Sequence, residues 1–267
     1  MGHSSKSRPL RTGWGARARL GFIELSTSIA VSAEAPSVLP EGVTALMSRM
    51  RLPDGEVSAE ALGRMIDSDR LEEASAELAD ADATVVAFAC TTGSLIGGVG
   101  FDRELIERME RGGGVRATTT STALLAALRA LGAERVAVAT PYVDELNRLE
   151  VDFLQAQGHH VTAVRGLNIA SDPQIAEVAP ERTRELAISV ANQDSSADVV
   201  FISCTNLLTL DSLDQLEREL GKPVVSSVAV TIWHALVLAG IEPDAAGAGS
   251  LLAGRLPVTA DISSPAA

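Results

Sequence analysis

The sequence predicts an α/β protein of two pseudo-symmetric lobes, each a parallel four-stranded sheet flanked by helices, with a ligand site in the cleft between the lobes. Three observations carry this expectation. Apolar β-forming runs alternate with helical patterns along the 267 residues, and such βα units build parallel sheets with right-handed crossovers. The order strand–helix–strand–helix–strand–Cys–helix–strand–helix is read twice, which marks an internal duplication. Two stretches are copies of one idea: ADATVVAFACTTGSL runs into Cys90, Thr91, Thr92 and Gly93, and SSADVVFISCTNLLTL runs into Cys204, Thr205 and Asn206. A short apolar run bounded by turn residues reads as a buried parallel strand. Ligands of open α/β sheets sit just beyond the carboxyl ends of such strands, so both cysteines, the only two in the chain, stand where chemistry is expected.

Residues 1–18 read as a disordered basic tail. Lys6, Arg8, Arg11 and Arg17 make it basic, and Glu24 with Ser26-Thr27-Ser28 interrupts any apolar signal-peptide core. The N-terminal lobe is expected over 19–132. RLGFIEL is its first strand, a short helix covers Ala33 to Leu39, and GVTALMSRM is the second strand, closed by a turn at Pro53–Gly55. From Ser58, a plausible N-cap, to about Leu78 the stripe Leu62, Met65, Ile66, Leu71 and Leu78 predicts a helix. The Cys90 strand opens a small-polar loop, DRELIERMER is a helix ended by Gly112–Gly114, VRATTT is a strand, and STALLAALRAL is a helix stopped at Gly132.

The C-terminal lobe, 133–226, repeats the order. ERVAVAT and HHVTAVRGL are strands around a helix that ends at Gly158, and a further helix runs from Pro180 through Asn192. The Cys204 strand follows, then a helix with Asp211 as N-cap and Gly221 as stop, then the strand PVVSS. Residues 227–242 are a closing helix packing back on the N-terminal lobe, with Trp233 and His234 as packing residues, and 243–267 form an irregular tail.

A net charge of −13 and an aromatic share of 3% argue against nucleic-acid and anionic-membrane partners. An anionic substrate remains open, because backbone amides make a site locally positive. Two cysteines 114 residues apart suit neither a disulfide scaffold nor a zinc site, and the four histidines have no metal-ligand spacing. No metal is expected, and cytoplasmic is the default location. GGVG at Gly97–Gly100 lacks GxGxxG or Walker spacing and reads as structural.

A cysteine in an apolar strand is ordinarily a small core residue; two at equivalent places in a repeated unit, each followed by Thr, argue for a catalytic pair. Loop amides favour a thiolate at each. Thr91, Thr92, Gly93 and Ser94 on one side, and Thr205 and Asn206 on the other, can form a nest for a carboxylate. One thiol on each face of a carbon permits two-sided proton transfer, or attack from one side with protonation from the other, without a cofactor. Tyr142, the only tyrosine, follows a strand end and either aims into the cleft or is a loop aromatic.

The paired Cys-Thr strand ends, the ATPY loop and PVVSS with its helix resemble the aspartate/glutamate racemase superfamily, in its maleate cis–trans isomerase and arylmalonate decarboxylase branch. The resemblance runs from about Leu20 to Gly240. It implies a pseudo-symmetric two-lobe fold, Cys90 as nucleophile, Cys204 as acid/base partner, and Tyr142 holding a substrate carboxylate. Decarboxylases of this branch have glycine at the first cysteine, so two thiols favour a cis–trans isomerase or racemase of a small carboxylic acid. The alternatives are a decarboxylase-like lyase with Cys204 as proton donor, an ectoine-degradation-type isomerase, and a non-enzymatic small-molecule-binding module on the same fold. A homo-oligomer, dimer or tetramer, is the implied assembly. Two departures stand out: Ser28 and Asp172 fall where the family places carboxylate-binding Asn residues. A carboxylate at 172 would repel a substrate carboxylate, which disfavours maleate and makes an amino- or amide-bearing substrate plausible.

Overall fold

The computed structural model describes residues 13–255. It contains two four-stranded sheets of identical topology, all neighbours parallel. In the N-terminal sheet, β1 (Ala18–Leu25), β2 (Val43–Met50), β3 (Val85–Phe88) and β4 (Arg116–Thr119) lie in the order β2-β1-β3-β4. In the C-terminal sheet, β5 (Arg135–Thr140), β6 (His160–Gly166), β7 (Val199–Ile202) and β8 (Val224–Ser226) lie in the order β6-β5-β7-β8. The central strands β3 and β7 are sealed along their whole length, because helices cover both faces; their uninterrupted apolar sequences reflect that. The edge strands β2 and β6 are only half-buried and carry Arg and Thr.

The N-terminal helices are α1 (Ala30–Val38), α2 (Ala59–Ile66), α3 (Arg70–Asp80), α4 (Thr91–Leu95), α5 (Phe101–Gly113) and α6 (Thr120–Leu131). The C-terminal ones are α7 (Asp144–Ala156), α8 (Asp172–Ala176), α9 (Pro180–Ala191), α10 (Leu210–Leu220), α11 (Ser227–Leu238) and α12 (Gly249–Leu252). The helices that follow the fourth strand of each lobe, α6 and α11, pack on each other. Their contact holds a threonine pair, Thr120 Oγ1 to Thr231 Oγ1 at 2.8 Å, and Trp233 and His234 are buried beside it.

Several elements differ from expectation, each for a local reason. The helix expected from Ser58 to Leu78 is two helices. Between them the Ser68 hydroxyl donates to the Met65 carbonyl and accepts from the Arg70 amide, the backbone competition that short polar side chains provide. The apolar stripe is nevertheless buried on both pieces. Helix α1 starts at Ala30, three residues before the expected Ala33. Asp211 is not the cap of α10: Thr209 holds that position, and the amides of Thr209 and Leu210 both donate to Glu34 Oε1 at 2.8 Å. That cap comes from α1, in the other lobe. Strand β1 takes in Ala18, the last residue assigned to the basic tail, whose residues 1–12 lie outside the described part. The C-terminal segment holds the one-turn helix α12, and 256–267 lie outside the described part. No helix among the described residues is long and apolar enough to cross a membrane.

Candidate active site

Each cysteine stands two residues beyond a central strand. The ladders continue one residue further, Ala89 N to Ile23 O at 2.9 Å and Ser203 N to Ala139 O at 2.7 Å, and then the chain turns. The loop expected after Cys90 is the first turn of α4. Cys90 caps it, and its sulfur accepts the Gly93 amide at 3.3 Å. On the other side the Cys204 sulfur accepts the Asn206 amide, also at 3.3 Å. Cys204 has φ of 109°, a region that L-residues avoid at a cost of roughly 1–3 kcal/mol. Its amide is held there by Ser227 Oγ at 3.0 Å.

Two bonds tie the cysteine turns together across the lobes. The Thr205 hydroxyl donates to the carbonyl of Ala89, the residue before Cys90, at 3.0 Å. The Thr91 hydroxyl donates to Ser227 Oγ at 2.8 Å, the same oxygen that holds the Cys204 amide. Cys90 and Cys204 are 3% and 4% exposed, and each backbone is fixed within one residue of a bond to the other lobe.

Tyr142 and Asp172 complete the cluster. Tyr142 is buried beside Cys204, near enough to act on its sulfur, and the backbone around Tyr142 is set by Asn147, whose amide donates to the Tyr142 carbonyl at 3.4 Å. Asp172 is 2% exposed at the start of α8. Its Oδ2 accepts the Thr27 hydroxyl at 2.6 Å and the Ser28 hydroxyl at 3.2 Å. Oδ1 accepts no hydrogen bond among the described residues and is not sealed from solvent. Asp172 thus bridges the lobes, and the two positions that depart from the family pattern, Ser28 and Asp172, are bonded to each other.

Electrostatics corrects one expectation. The amides do point at the sulfurs, but they do not yield resting thiolates. Burial pushes the Cys90 thiol up to about 12, against the Gly93 amide and the Thr92 hydroxyl and with help from the Asp172 charge. Burial and Asp172 push Cys204 higher still, against Tyr142 and the Asn206 amide, and Cys90 adds to the rise. Tyr142 is well above the ordinary tyrosine range through burial and the Cys204, Glu150 and Cys90 charges. An ionised Cys90 opposes ionisation of Cys204, so the two thiols give up their protons in separate steps. One base or nucleophile and one acid follow from that coupling.

Of the nest residues, Gly93 donates its amide to the Cys90 sulfur, and Thr92 is near enough to act on the thiol's titration. Ser94 is turned inward: its hydroxyl donates to the Thr91 carbonyl at 3.0 Å and pairs with Ser121 Oγ at 2.6 Å. Asn206 spends its side chain on scaffolding, Oδ1 accepting the Ile29 amide at 2.8 Å and Nδ2 donating to the Asp172 carbonyl at 3.0 Å. Ser227, Thr27, Ser203 and Glu150 belong to the site and were not singled out from sequence. The doubled serine of PVVSS, directly after a strand, was the available signal for Ser227. Among the described residues no group of three or more His, Cys, Asp or Glu side chains could hold a metal ion.

A family model described as arylmalonate decarboxylase matches residues 20–252. The arylmalonate decarboxylase of Bordetella bronchiseptica is 36% identical over 186 residues, 70% of this chain and 77% of that protein. The structure of a maleate isomerase from Pseudomonas putida S16 with maleate superposes with a TM-score of 0.83 at 30% identity, covering 90% of this chain and 98% of that one. A maleate cis–trans isomerase from Nocardia farcinica, with a covalently bound succinylcysteine intermediate, superposes with a TM-score of 0.80 at 27% identity, covering 88% and 98%.

Proposed function

Since the chain belongs to the arylmalonate decarboxylase family, and is an enzyme by that relationship, we propose that it is an isomerase of the maleate-isomerase type. It acts on a small unsaturated carboxylic acid through Cys90 and Cys204 and needs no cofactor. The observation that carries this reading is a pair of buried thiols at equivalent strand ends, on turns hydrogen-bonded to one another across the lobes.

The reaction starts from the minor form in which Cys90 has given its proton to solvent and Cys204 keeps its own. The Cys90 sulfur bonds to one alkene carbon, and the π pair moves to the neighbouring carbon, beside the carboxylate. That carbon takes the Cys204 proton, leaving a thioether on Cys90 and a thiolate on Cys204. Rotation about the new single bond follows. Cys204 then recovers a proton, the pair re-forms the double bond, and the Cys90 sulfur leaves as thiolate. The succinylcysteine of the Nocardia farcinica relative is the counterpart of this thioether. Tyr142 stabilises charge at the Cys204 end.

Asp172 narrows the substrate. Its open Oδ1 would oppose a second carboxylate and accept a hydrogen bond from an amide or ammonium group, so the substrate carries one carboxylate and a donor at its far end. The second reading, decarboxylation with Cys204 as sole proton donor, draws on the 36% identical decarboxylase. Cys90→Gly separates the two: an isomerase loses nearly all turnover and a decarboxylase keeps it. Proton NMR in deuterated water over maleate, maleamate, citraconate, amino acids and arylmalonates reads isomerisation, exchange and decarboxylation together. Loss of carbon dioxide from an arylmalonate without isomerisation of any alkene would refute the isomerase.

A further inference from the structure

Behind Tyr142 and Cys204 lies a buried polar group that the reaction above does not use. Glu150, on the inner face of α7, is 0% exposed, and neither carboxylate oxygen completes a hydrogen bond. Ser203, the residue before Cys204, is equally sealed, and its hydroxyl is also without a partner. The two side chains are near enough that Ser203 influences the Glu150 proton, yet in this arrangement no bond closes between them. No Lys, Arg, His or second carboxylate acts on Glu150. The titratable group that acts with it is Tyr142, in the turn before α7, with Cys204 next to Tyr142; β6, which also packs on α7, carries His160 and Arg165, and neither acts on Glu150. Helix α4, packed on α7 from the other lobe, brings only Thr, Gly, Ser and Leu.

A carboxylate anion in such a place would be served by one hydroxyl donor and no cation, an arrangement that buried charges do not tolerate. A neutral carboxylic acid fits: its O–H donates to Ser203 Oγ, and a single proton then satisfies both orphaned side chains. We propose that Glu150 is a positioning residue that works as the neutral acid, and that its ionisation switches off the Tyr142–Cys204 pair behind which it sits. An anion at Glu150 places uncompensated charge beside Tyr142, and through Tyr142 it opposes the thiolate that Cys204 must become in mid-reaction. The proposal rests on the thiol chemistry proposed above, so its test is read on Cys204 directly.

The rate of Cys204 alkylation by iodoacetamide, followed by peptide mass spectrometry from pH 5.5 to 9, is compared between the wild-type chain and Glu150→Gln. The variant keeps the shape and cannot ionise. The variant-to-wild-type rate ratio is expected near one at the acid end and to rise by up to about tenfold with alkalinity as the wild-type carboxyl ionises. Ser203→Ala, which removes the only donor to the anion, should move that rise to higher pH. A ratio flat across the range overturns the proposal. If Glu150→Gln does not fold, or Cys204 resists the reagent in both proteins, infrared titration of the wild-type chain against Ser203→Ala decides. A buried protonated carboxyl at pH 6 that Ser203→Ala shifts supports the proposal, and a carboxylate already ionised at pH 6 overturns it. Unreactive Cys204 alongside a protonated Glu150 would count against the isomerase reading rather than against this one.

Discussion

Replacing Asp172 by Asn tests how the substrate is chosen. The side chain keeps an oxygen to accept the Thr27 and Ser28 hydroxyls, so the bridge between the lobes survives while the charge is lost. Two unit charges about 5 Å apart at an effective dielectric constant of about 20 interact by roughly 3 kcal/mol, close to two pKa units or about a hundredfold in rate or affinity. The Asp172 charge raises both thiols, so both should titrate lower in the variant, by up to about two units. The same charge opposes a second substrate carboxylate, so the ratio of kcat/KM for maleate to that for maleamate should rise by up to about a hundredfold. The assay is paired initial rates on the two compounds, with iodoacetamide pH profiles of each cysteine peptide. A selectivity ratio and thiol midpoints that both stay at their wild-type values would refute the reasoning, and would place the Asp172 charge out of reach of the reacting atoms.

Two further substitutions probe the support of the site. A Cβ built at Gly93 would lie 2.8 Å from the Cys90 sulfur and 3.2 Å from the Phe88 ring. Gly93→Ala should therefore displace the thiol and lower kcat at least about tenfold, measured beside a melting curve that stays within a few degrees; unchanged kcat would show that Cys90 is not position-critical. Glu34 has its carboxyl raised by burial from 4.5 to about 7 against the two amides it caps. Its folded pKa lies above its unfolded one, so its contribution is complete below about pH 4.5 and is lost as pH rises through 7. The loss is at most about 3 kcal/mol, less whatever its partial solvent contact screens. Glu34→Gln keeps an acceptor for the cap, so urea unfolding at pH 5 and pH 8 should show the variant gaining on the wild type with pH. Equal pH slopes would contradict the assignment.

What the sequence makes legible here is what neighbouring residues determine. Val85–Phe88 and Val199–Ile202 are apolar without a break because both faces of a central parallel strand are covered, and that pattern locates both cysteines. The repeat of Cys-Thr at the same point of two equivalent units identifies the pair before any contact is known. What stays hidden depends on partners far along the chain. Glu34 caps α10 from the other lobe, Ser227 links Thr91 to Cys204, and Ser28 meets Asp172 across the cleft. Only Ser227 has a local signature, the doubled serine after its strand, and nothing local says what it bonds to. The thiol pKa is the instructive error: the amide donors were readable from the turn sequences, but the burial that outweighs them is a property of the assembled lobes.

The most direct test of the two-thiol site uses 1,3-dibromoacetone, a short reagent that joins two sulfurs only when both flank the same small space. With Cys90 and Cys204 the only cysteines in the chain, the account predicts one reagent molecule per chain, and a single cross-linked species joining the Cys90 and Cys204 peptides after digestion. Two separate adducts, one on each cysteine with no link between them, would contradict it, as would a chain left unmodified.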